Sequence, residues 1–567
     1  MLPMKHEPVY DRGEFASVRE LVEWAAATHG ERTAYSYAPN PHKSEVEKKS
    51  FIALGEDVRA LATALYAMGC AGKHLALVGK MSYEWVLVYY AVLSIGGVLV
   101  PLDRDWEAED LADTAKKADA EYLICERELA DKATVIVKNA GIKTPVYYLS
   151  GEDESAVAAL LADGRQRVEA GDTSYYEARI DPTKLGLLVF TSGTTGKGKG
   201  VMLTQNAILA DLFYVLQYID FGKKTVSVLP PHHTYGSTVM IIGHAMIGCE
   251  VYLSAGLRYV VKELKEQKPE HMVLVPLYLE TFYRKIRATL KEKGKEELID
   301  RLIRFSEGMR KIGVDLRKKL FGAVRAAFGG ELRTVISGGA PLNPDIMRFF
   351  DAIGITVLNG YGITECAPLV AVNRSYAPVP GSVGHVVHID TVKIADPNEN
   401  GEGEICVKGI NVMLGYYKNE EATVEAFDND GYFRTGDYGK LDANGVLYIT
   451  GRKKNLIILS NGKNVYPEEI ENAFTSVPGV LDIVVYEGQS KRGVSHNAIV
   501  AEIYPDKEYF EKNGITDPQA HFEDYVAKYN KTAVPYKKIG CLKVREEEFP
   551  KNTLRKIMRF KLDTTIE

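Results

Sequence analysis

Leu185-Gly186-Leu187-Leu188-Val189-Phe190 runs directly into Thr191-Ser192-Gly193-Thr194-Thr195-Gly196-Lys197-Gly198-Lys199-Gly200, and everything else in the chain is interpreted from this junction. The first six residues are an apolar, partly branched run of strand length. The ten that follow hold four glycines, four hydroxyls and two lysines. Glycine lets backbone N–H groups come close to phosphate oxygens, hydroxyls add donors, and lysine supplies countercharge. A strand that ends in such a loop predicts a phosphate ligand at the carboxyl edge of a sheet.

Gly193 to Lys199 also satisfies the spacing GxxxxGK of a P-loop nucleotidase or kinase. A P-loop needs Ser or Thr next, for Mg²⁺, and a helix at once; here Gly200 has no hydroxyl and Val201-Met202-Leu203 reads as extended. The kinase reading stays open as the alternative of a different class.

Outward from the loop, the first half alternates helices with short apolar strands. A capping box, Ser17-Val18-Arg19-Glu20, starts one helix, and Gly30 ends it. Strands are expected at Leu75 to Val78, Val98 to Leu102, Tyr122 to Cys125, Val146 to Leu149, Thr225 to Leu229, Glu250 to Leu253, His271 to Val275 and Arg333 to Ile336. The expected fold class is α/β, a large N-terminal domain (1–452) of doubly wound, mainly parallel sheets. Short strands and turns from about His385 to Ile449 predict a small β-rich subdomain, and residues 453–567 a small mobile α+β domain. That last unit opens on a hairpin pattern, Leu456 to Ser460 turning at Asn461-Gly462, before a helix with Pro467 at its first position.

At 567 residues the chain exceeds what a single core holds, and a net charge of -6 gives no global attraction to nucleic acid. Six cysteines without a CxxC pair argue against structural zinc or a disulfide framework and fit a reducing cytoplasm. The charged opening MLPMKHEPVYDRGEF reads as no signal peptide. Trp85 to Leu102 is an uncharged run of 18 residues, read as a helix, a Gly96-Gly97 break and a buried strand rather than a membrane span. From Arg284 to Arg325 there are 14 Lys or Arg against 6 Asp or Glu on helix-forming sequence, which is a solvated helical pair or a peripheral contact with anionic membrane.

The loop resembles the motif TSGTTGxPKG of the adenylate-forming superfamily, with Gly198 in place of its proline. Four further stretches resemble that family in order: Leu229-Pro230-Pro231-His232-His233-Thr234-Tyr235-Gly236, Ser337-Gly338-Gly339-Ala340-Pro341-Leu342, Tyr361-Gly362-Ile363-Thr364-Glu365 and Phe433-Arg434-Thr435-Gly436-Asp437. The resemblance covers nearly the whole chain and is nearest the long-chain fatty acyl-CoA synthetases, through Leu320-Phe321-Gly322, Phe328-Gly329-Gly330-Glu331-Leu332-Arg333 and the basic helical stretch before them. It implies activation of a carboxylic acid by ATP and Mg²⁺ as an acyl adenylate, then transfer to the thiol of coenzyme A. A carrier-protein thiol as acceptor, and a lapsed enzyme that only binds nucleotide, stay open. Oligomeric state is not legible.

The roles that the resemblance implies are these. Thr191, Ser192, Gly193, Thr194, Thr195, Gly196 and Lys199 hold the phosphates, with Lys199 also taken as catalytic; Gly338, Gly339, Ala340, Pro341, Asn359, Gly360, Tyr361 and Gly362 take the adenine side. Thr364 meets the α-phosphate, Glu365 binds Mg²⁺, and Asp437 with Arg452 meets the ribose. His233, Tyr235, Gly236 and Ser237 line the acyl pocket, with His233 also taken as catalytic between the carboxylate and phosphate sites; an apolar helix Val239 to Ile247 continues the pocket and suits a greasy substrate, while His232 receives no role. Lys454 is the hinge, Gly462 and Lys463 meet coenzyme A, and Lys556 is the catalytic lysine of a degenerate final motif in which Lys551 or Arg555 are alternatives. Gly451 stands where the family usually has aspartate.

Overall fold

The structure, a computed structural model, describes residues 14–43, 45–191, 198–459, 463–490, 498–551 and 557–566. The strand that leads into the glycine-rich loop, Leu185–Thr191, lies inside a seven-stranded sheet ordered Gly415–Tyr416, Lys199–Thr204, Leu185–Thr191, Val98–Leu102, His74–Val78, Tyr122–Cys125, Val146–Tyr148. Pairing from Leu185–Thr191 outward to Val146–Tyr148 is parallel, as βα alternation predicts. On its other side the chain returns antiparallel as Lys199–Thr204, with Thr191 opposite Lys199. A strand, not a helix, therefore follows Gly200, which removes the P-loop kinase reading.

The uncharged run Trp85 to Leu102 is the helix Tyr83–Ser94 followed by the strand Val98–Leu102, with every strand residue buried. Gly96 makes the reversal with φ +73°, a region that side chains disfavour, and a Cβ there would lie 2.5 Å from the Arg179 carbonyl oxygen. Among the described residues no helix is long and apolar enough to cross a membrane. At Val18–His29, Ser17 Oγ accepts from the Glu20 N–H and Gly30 closes the helix at φ 58°, as the capping box predicts.

A second sheet has nine strands. His271–Leu274, Thr334–Ser337 and Thr356–Gly362 are parallel, and Thr356–Gly362 pairs antiparallel with Leu369–Val372 on its far edge. The β-rich stretch is thus hydrogen-bonded into the parallel sheet instead of standing apart: Gly384–Val386, Val446–Arg452, Phe433–Leu441, Gly403–Gly409 and Asp390–Ala395 continue it strand by strand. A strand has two ladders of donors and acceptors, and joining them leaves no bare edge between the two parts. From Ile457 onward the chain has its own sheet, Cys541–Val544, Ala498–Pro505, Val480–Ser490, Thr565–Ile566, and its own core around Ile470, Phe474, Val485, Ile503 and Phe522.

The apolar stretch after Tyr235 is the helical turn Thr234–Ser237, a π-helical segment Thr238–Gly243 and the turn His244–Ile247. Val239, Met240, Ile241 and Ile242 all pack in the main core. His244, Cys249 and His271 bring three ligand atoms within 4.8 Å of one another. Hydrogen bonding closes this group without a metal. The Gly222 N–H donates to His271 Nδ1, so the His271 proton sits on Nε2 and is donated to His244 Nε2 at 2.8 Å, while His244 Nδ1–H donates to the Val239 carbonyl. Two nitrogens 2.8 Å apart are also too close to share one tetrahedral zinc at ordinary bond lengths.

Candidate active site

Lys199 opens the return strand, and its position is fixed by the hairpin that seats it opposite Thr191. Its ammonium lies 4.6 Å from the centroid of the Tyr416 ring. Tyr416 is held there by the short edge strand Gly415–Tyr416, paired with Val201 and Met202. The Tyr416 hydroxyl donates to Glu365 Oε1 at 3.0 Å. One tyrosine therefore joins the lysine of the glycine-rich loop to the carboxylate of Tyr361-Gly362-Ile363-Thr364-Glu365. Burial pushes the Glu365 carboxyl up from its ordinary value, against the pull of the Tyr416 hydroxyl and of Arg452. Sequence reasoning misses Tyr416, since a lone tyrosine in a turn has no pattern; its antiparallel pairing to the loop's own strand is the signal that finds it.

Asn359, Gly360, Tyr361 and Gly362 lie on the strand Thr356–Gly362, and Thr364 and Glu365 on the short turn Thr364–Cys366 that follows. Gly362 is required by a close approach: a Cβ would stand 2.0 Å from the Pro368 carbonyl oxygen. Behind the turn, the Leu369 N–H donates to buried Asp211, and Asn411 donates to Asp211, to Asp390 and to the Leu369 carbonyl. These contacts fix the backbone that carries Thr364 and Glu365.

Asp437 and Arg452 face each other across the strands Phe433–Leu441 and Val446–Arg452. Arg452 Nε lies 3.1 Å from Asp437 Oδ1, and the Tyr361 hydroxyl donates to Asp437 Oδ2 at 2.7 Å. Both carboxylate oxygens are thus aimed and keep a lone pair each for another donor. Asp437 is buried, while the Arg452 side chain is 48% exposed and can turn toward a ligand.

Beside Arg452, Gly451 leaves room that a neighbouring element fills. A Cβ on Gly451 would lie 2.8 Å from Glu468 Oε2 and 3.1 Å from the Tyr466 ring. Glu468, from the helix Pro467–Phe474, also accepts from Asn455 Nδ2 at 2.6 Å and raises the Arg452 pKa along with Asp437. A carboxylate thus stands beside the arginine despite the departure at Gly451. Sequence reasoning also misses Glu468, which lies beyond the hinge segment with no motif of its own.

Gly338 sits against Tyr235: a Cβ there would touch the Tyr235 ring at 3.1 Å. The Tyr235 hydroxyl donates to the carbonyls of Ile336 at 3.1 Å and Leu274 at 3.3 Å, so this ring is a wall and its polar end is engaged. Gly339, Ala340 and Pro341 are exposed where the strand Thr334–Ser337 ends. Gly236 packs against the chain before it, where a Cβ would lie 2.0 Å from the Pro230 carbonyl oxygen, and the Ser237 hydroxyl donates to the His233 carbonyl at 3.0 Å. The His232 and His233 rings are 4.1 Å apart, and His232 Nε2 lies 3.3 Å from buried Asp103.

Lys454 is exposed at the surface, yet desolvation by its neighbours and the Arg452 charge push its pKa down. Next to it Lys453 pairs with Glu404 at 2.8 Å. Lys463 pairs with Glu399 at 3.1 Å, on the Asp390–Ala395 side of the large sheet. Lys551 is 13% exposed and pairs at 2.7 Å with both Asp482 and Glu548, so it is committed within the small unit. Ser192, Gly193, Thr194, Thr195, Gly196, Gly462, Arg555 and Lys556 lie outside the described residues.

The sequence matches the AMP-binding enzyme family over residues 22–417. It is 30% identical over 450 residues to the long-chain-fatty-acid–CoA ligase FadD15 of Mycobacterium bovis, a match covering 76% of this chain and 73% of that one. It is 27% identical over 594 residues to the chloroplastic long-chain-fatty-acid–acyl-carrier-protein ligase AEE15 of Arabidopsis thaliana, over 90% of this chain and 78% of that one. The fold is similar to the crystal structure of ATP-bound MatB from Rhodopseudomonas palustris, with a TM-score of 0.74 at 24% identity over 96% of this chain and 97% of that one. A family match of this extent, running through the glycine-rich loop and the carboxylate that faces it, means that the chain belongs to the AMP-binding enzyme family.

Proposed function

We propose that the protein activates a medium- or long-chain fatty acid as its acyl adenylate and passes the acyl group to the thiol of coenzyme A. The observation that carries this reading is the convergence of Lys199, Tyr416 and Glu365 next to Tyr361, Asp437 and Arg452. One end of the site offers a cation and a hard carboxylate, and the other offers a carboxylate flanked by donors, which is the polarity of a triphosphate and a ribose.

Glu365 forms no ion pair among the described residues, and the side chain that donates to it is the neutral hydroxyl of Tyr416, so the carboxylate fits a hard divalent cation such as Mg²⁺. Bound there, the ion would supply charge neutralisation to the phosphates. Lys199 and the loop orient the β- and γ-phosphates, and Thr364 offers its hydroxyl to the α-phosphate. In the first half-reaction a carboxylate oxygen of the acid bonds to the α-phosphorus, the bond to the bridging oxygen breaks, and pyrophosphate leaves with that electron pair. Lys556 is the cation proposed to offset the charge on the α-phosphate. In the second, the thiol sulfur bonds to the acyl carbon, AMP leaves, and the thiol proton goes to solvent. A turn of the small unit about Lys454 would bring the hairpin with Gly462 and Lys463 to the site for that step.

The fatty acid is favoured by the mycobacterial relative, and Tyr235, Gly236 and Ser237 place no charge where an acid's tail would lie. The match to the carrier-protein ligase extends over 90% of this chain, which favours a carrier thiol as the second reading. The six free cysteines fit a reducing compartment such as the cytoplasm. Product analysis with ATP, Mg²⁺ and acids from acetate to palmitate, with either coenzyme A or a phosphopantetheinylated carrier protein, tests both. AMP, pyrophosphate and palmitoyl-CoA are expected. Thioester on the carrier alone would favour the second reading, and nucleotide binding without any product would overturn both.

A further inference from the structure

We propose that the outer face of the helix Glu296–Lys311 is a docking surface for an anionic lipid bilayer. Leu298, Phe305 and Ile312 recur every seven residues and are 44%, 54% and 71% exposed. That spacing puts them on one line along the helix, drifting by only about 20° per heptad, over roughly 20 Å. The packed arc lies about 100° round the helix, where Ile299 and Ser306 are buried against the rest of the fold. The helix is therefore seated, and its apolar line is a second face turned to solvent.

The cations beside this line are the second observation. Arg301 lies next to the line, and Arg304 and Lys311 lie about 100° farther round on the same exposed side, with Glu297 among them; among the described residues these three cations form no ion pair. Other basic residues of the segment are instead neutralised: Arg287 pairs with Asp300, while Arg310 and Arg317 pair with Asp351. Val314, past the helix end, is also exposed. An apolar strip with long basic side chains along its edge matches an interface where tails meet anionic headgroups, since the stems lie along the strip while the charges reach up. A second copy of this chain is disfavoured as the occupant, because two-fold pairing would set a segment with 14 Lys or Arg and 6 Asp or Glu against itself. Nucleic acid would use the cations but not Phe305 and Ile312.

Co-sedimentation of the full chain with phosphatidylcholine vesicles, with and without phosphatidylglycerol, tests this independently of the proposed reaction. Binding is expected to the anionic vesicles and to weaken with salt. Arg301→Gln/Arg304→Gln/Lys311→Gln is expected to weaken it by about fivefold per residue, roughly a hundredfold together. Phe305→Ser/Ile312→Ser is expected to weaken it at least tenfold, with the thermal midpoint unchanged because both side chains are exposed. No binding by the parent, equal binding to neutral vesicles, or either variant bound like the parent would overturn the proposal. So would a dimer in sedimentation equilibrium that Phe305→Ser abolishes.

Discussion

Gly451 and Glu468 put a carboxylate beside Arg452 from a different element of the chain. With no side chain at Gly451, the Glu468 carboxylate occupies the space and supports the Arg452 charge. Glu468→Gln should raise the KM for ATP about tenfold with kcat largely kept, since a ground-state positioning charge is lost; steady-state kinetics would check it. Tyr416→Phe removes the hydroxyl on Glu365 but keeps the ring under Lys199, and should cost about tenfold in kcat/KM at limiting Mg²⁺, less at saturating Mg²⁺. Neither residue is legible in the sequence, because isolated Tyr and Glu carry no spacing. Glu365, Asp437 and Arg452 stand in recognisable stretches, and the structure sets Asp437 and Arg452 in contact with each other.

Buried groups behind the site give a pH dependence with opposite slopes. Burial pushes the Asp390 carboxyl up to about 8, and burial with neighbouring Asp390 holds Asp211 well above its ordinary value. A raised carboxyl contributes stability that is complete below about 4 and is lost as pH rises through its folded value. Burial pushes His244 down to about 4, so its contribution is present above about 6.5 and is lost as pH falls toward the folded value. The two carboxyls outweigh the one imidazole, so these groups should lower the thermal midpoint as pH rises from mildly acidic to alkaline. In Asp390→Asn the decline on the alkaline side should flatten, which calorimetry from about pH 5 to pH 9 would read.

Among the elements, alternation of apolar strands and helices is legible because each element buries its own face. What is not legible is which neighbour each strand takes. Leu185–Thr191 has parallel and antiparallel partners, and Thr356–Gly362 joins two regions that differ in texture. Pairing is decided by long-range contacts that no local pattern carries. Long-range packing also bears on the stretch Val239 to Ile247, which reads from its apolar sequence as a wall for a greasy substrate and of which Val239 to Ile242, Ala245 and Met246 belong to the main core. The hairpin at the loop also settles Gly198. A Cβ there would lie 2.6 Å from the Thr191 carbonyl oxygen, so this loop is built around glycine. Gly198→Pro, which restores the family residue, should destabilise the protein by about 1–3 kcal/mol and weaken ATP binding, as thermal melts with and without nucleotide would register.

For the molecule as a whole, exchangeable polar contacts are among those that hold the small unit against the large one. Arg284 donates to the Val480 carbonyl at 3.2 Å, and Asn343 donates to the Asn472 carbonyl at 3.0 Å and to Thr475 Oγ1 at 2.9 Å. Such contacts can be exchanged at small cost, consistent with the proposed rotation about Lys454 between half-reactions. Lys454→Pro should spare acyl-adenylate formation and reduce thioester formation by a hundredfold or more. Exchange of labelled pyrophosphate into ATP, in the absence of any thiol, isolates the adenylation step on which all of this rests. Exchange is expected to require both a fatty acid and Mg²⁺ and to be lost in Glu365→Gln. Exchange without an acid, or release of ADP in place of pyrophosphate, would contradict adenylate formation at this site.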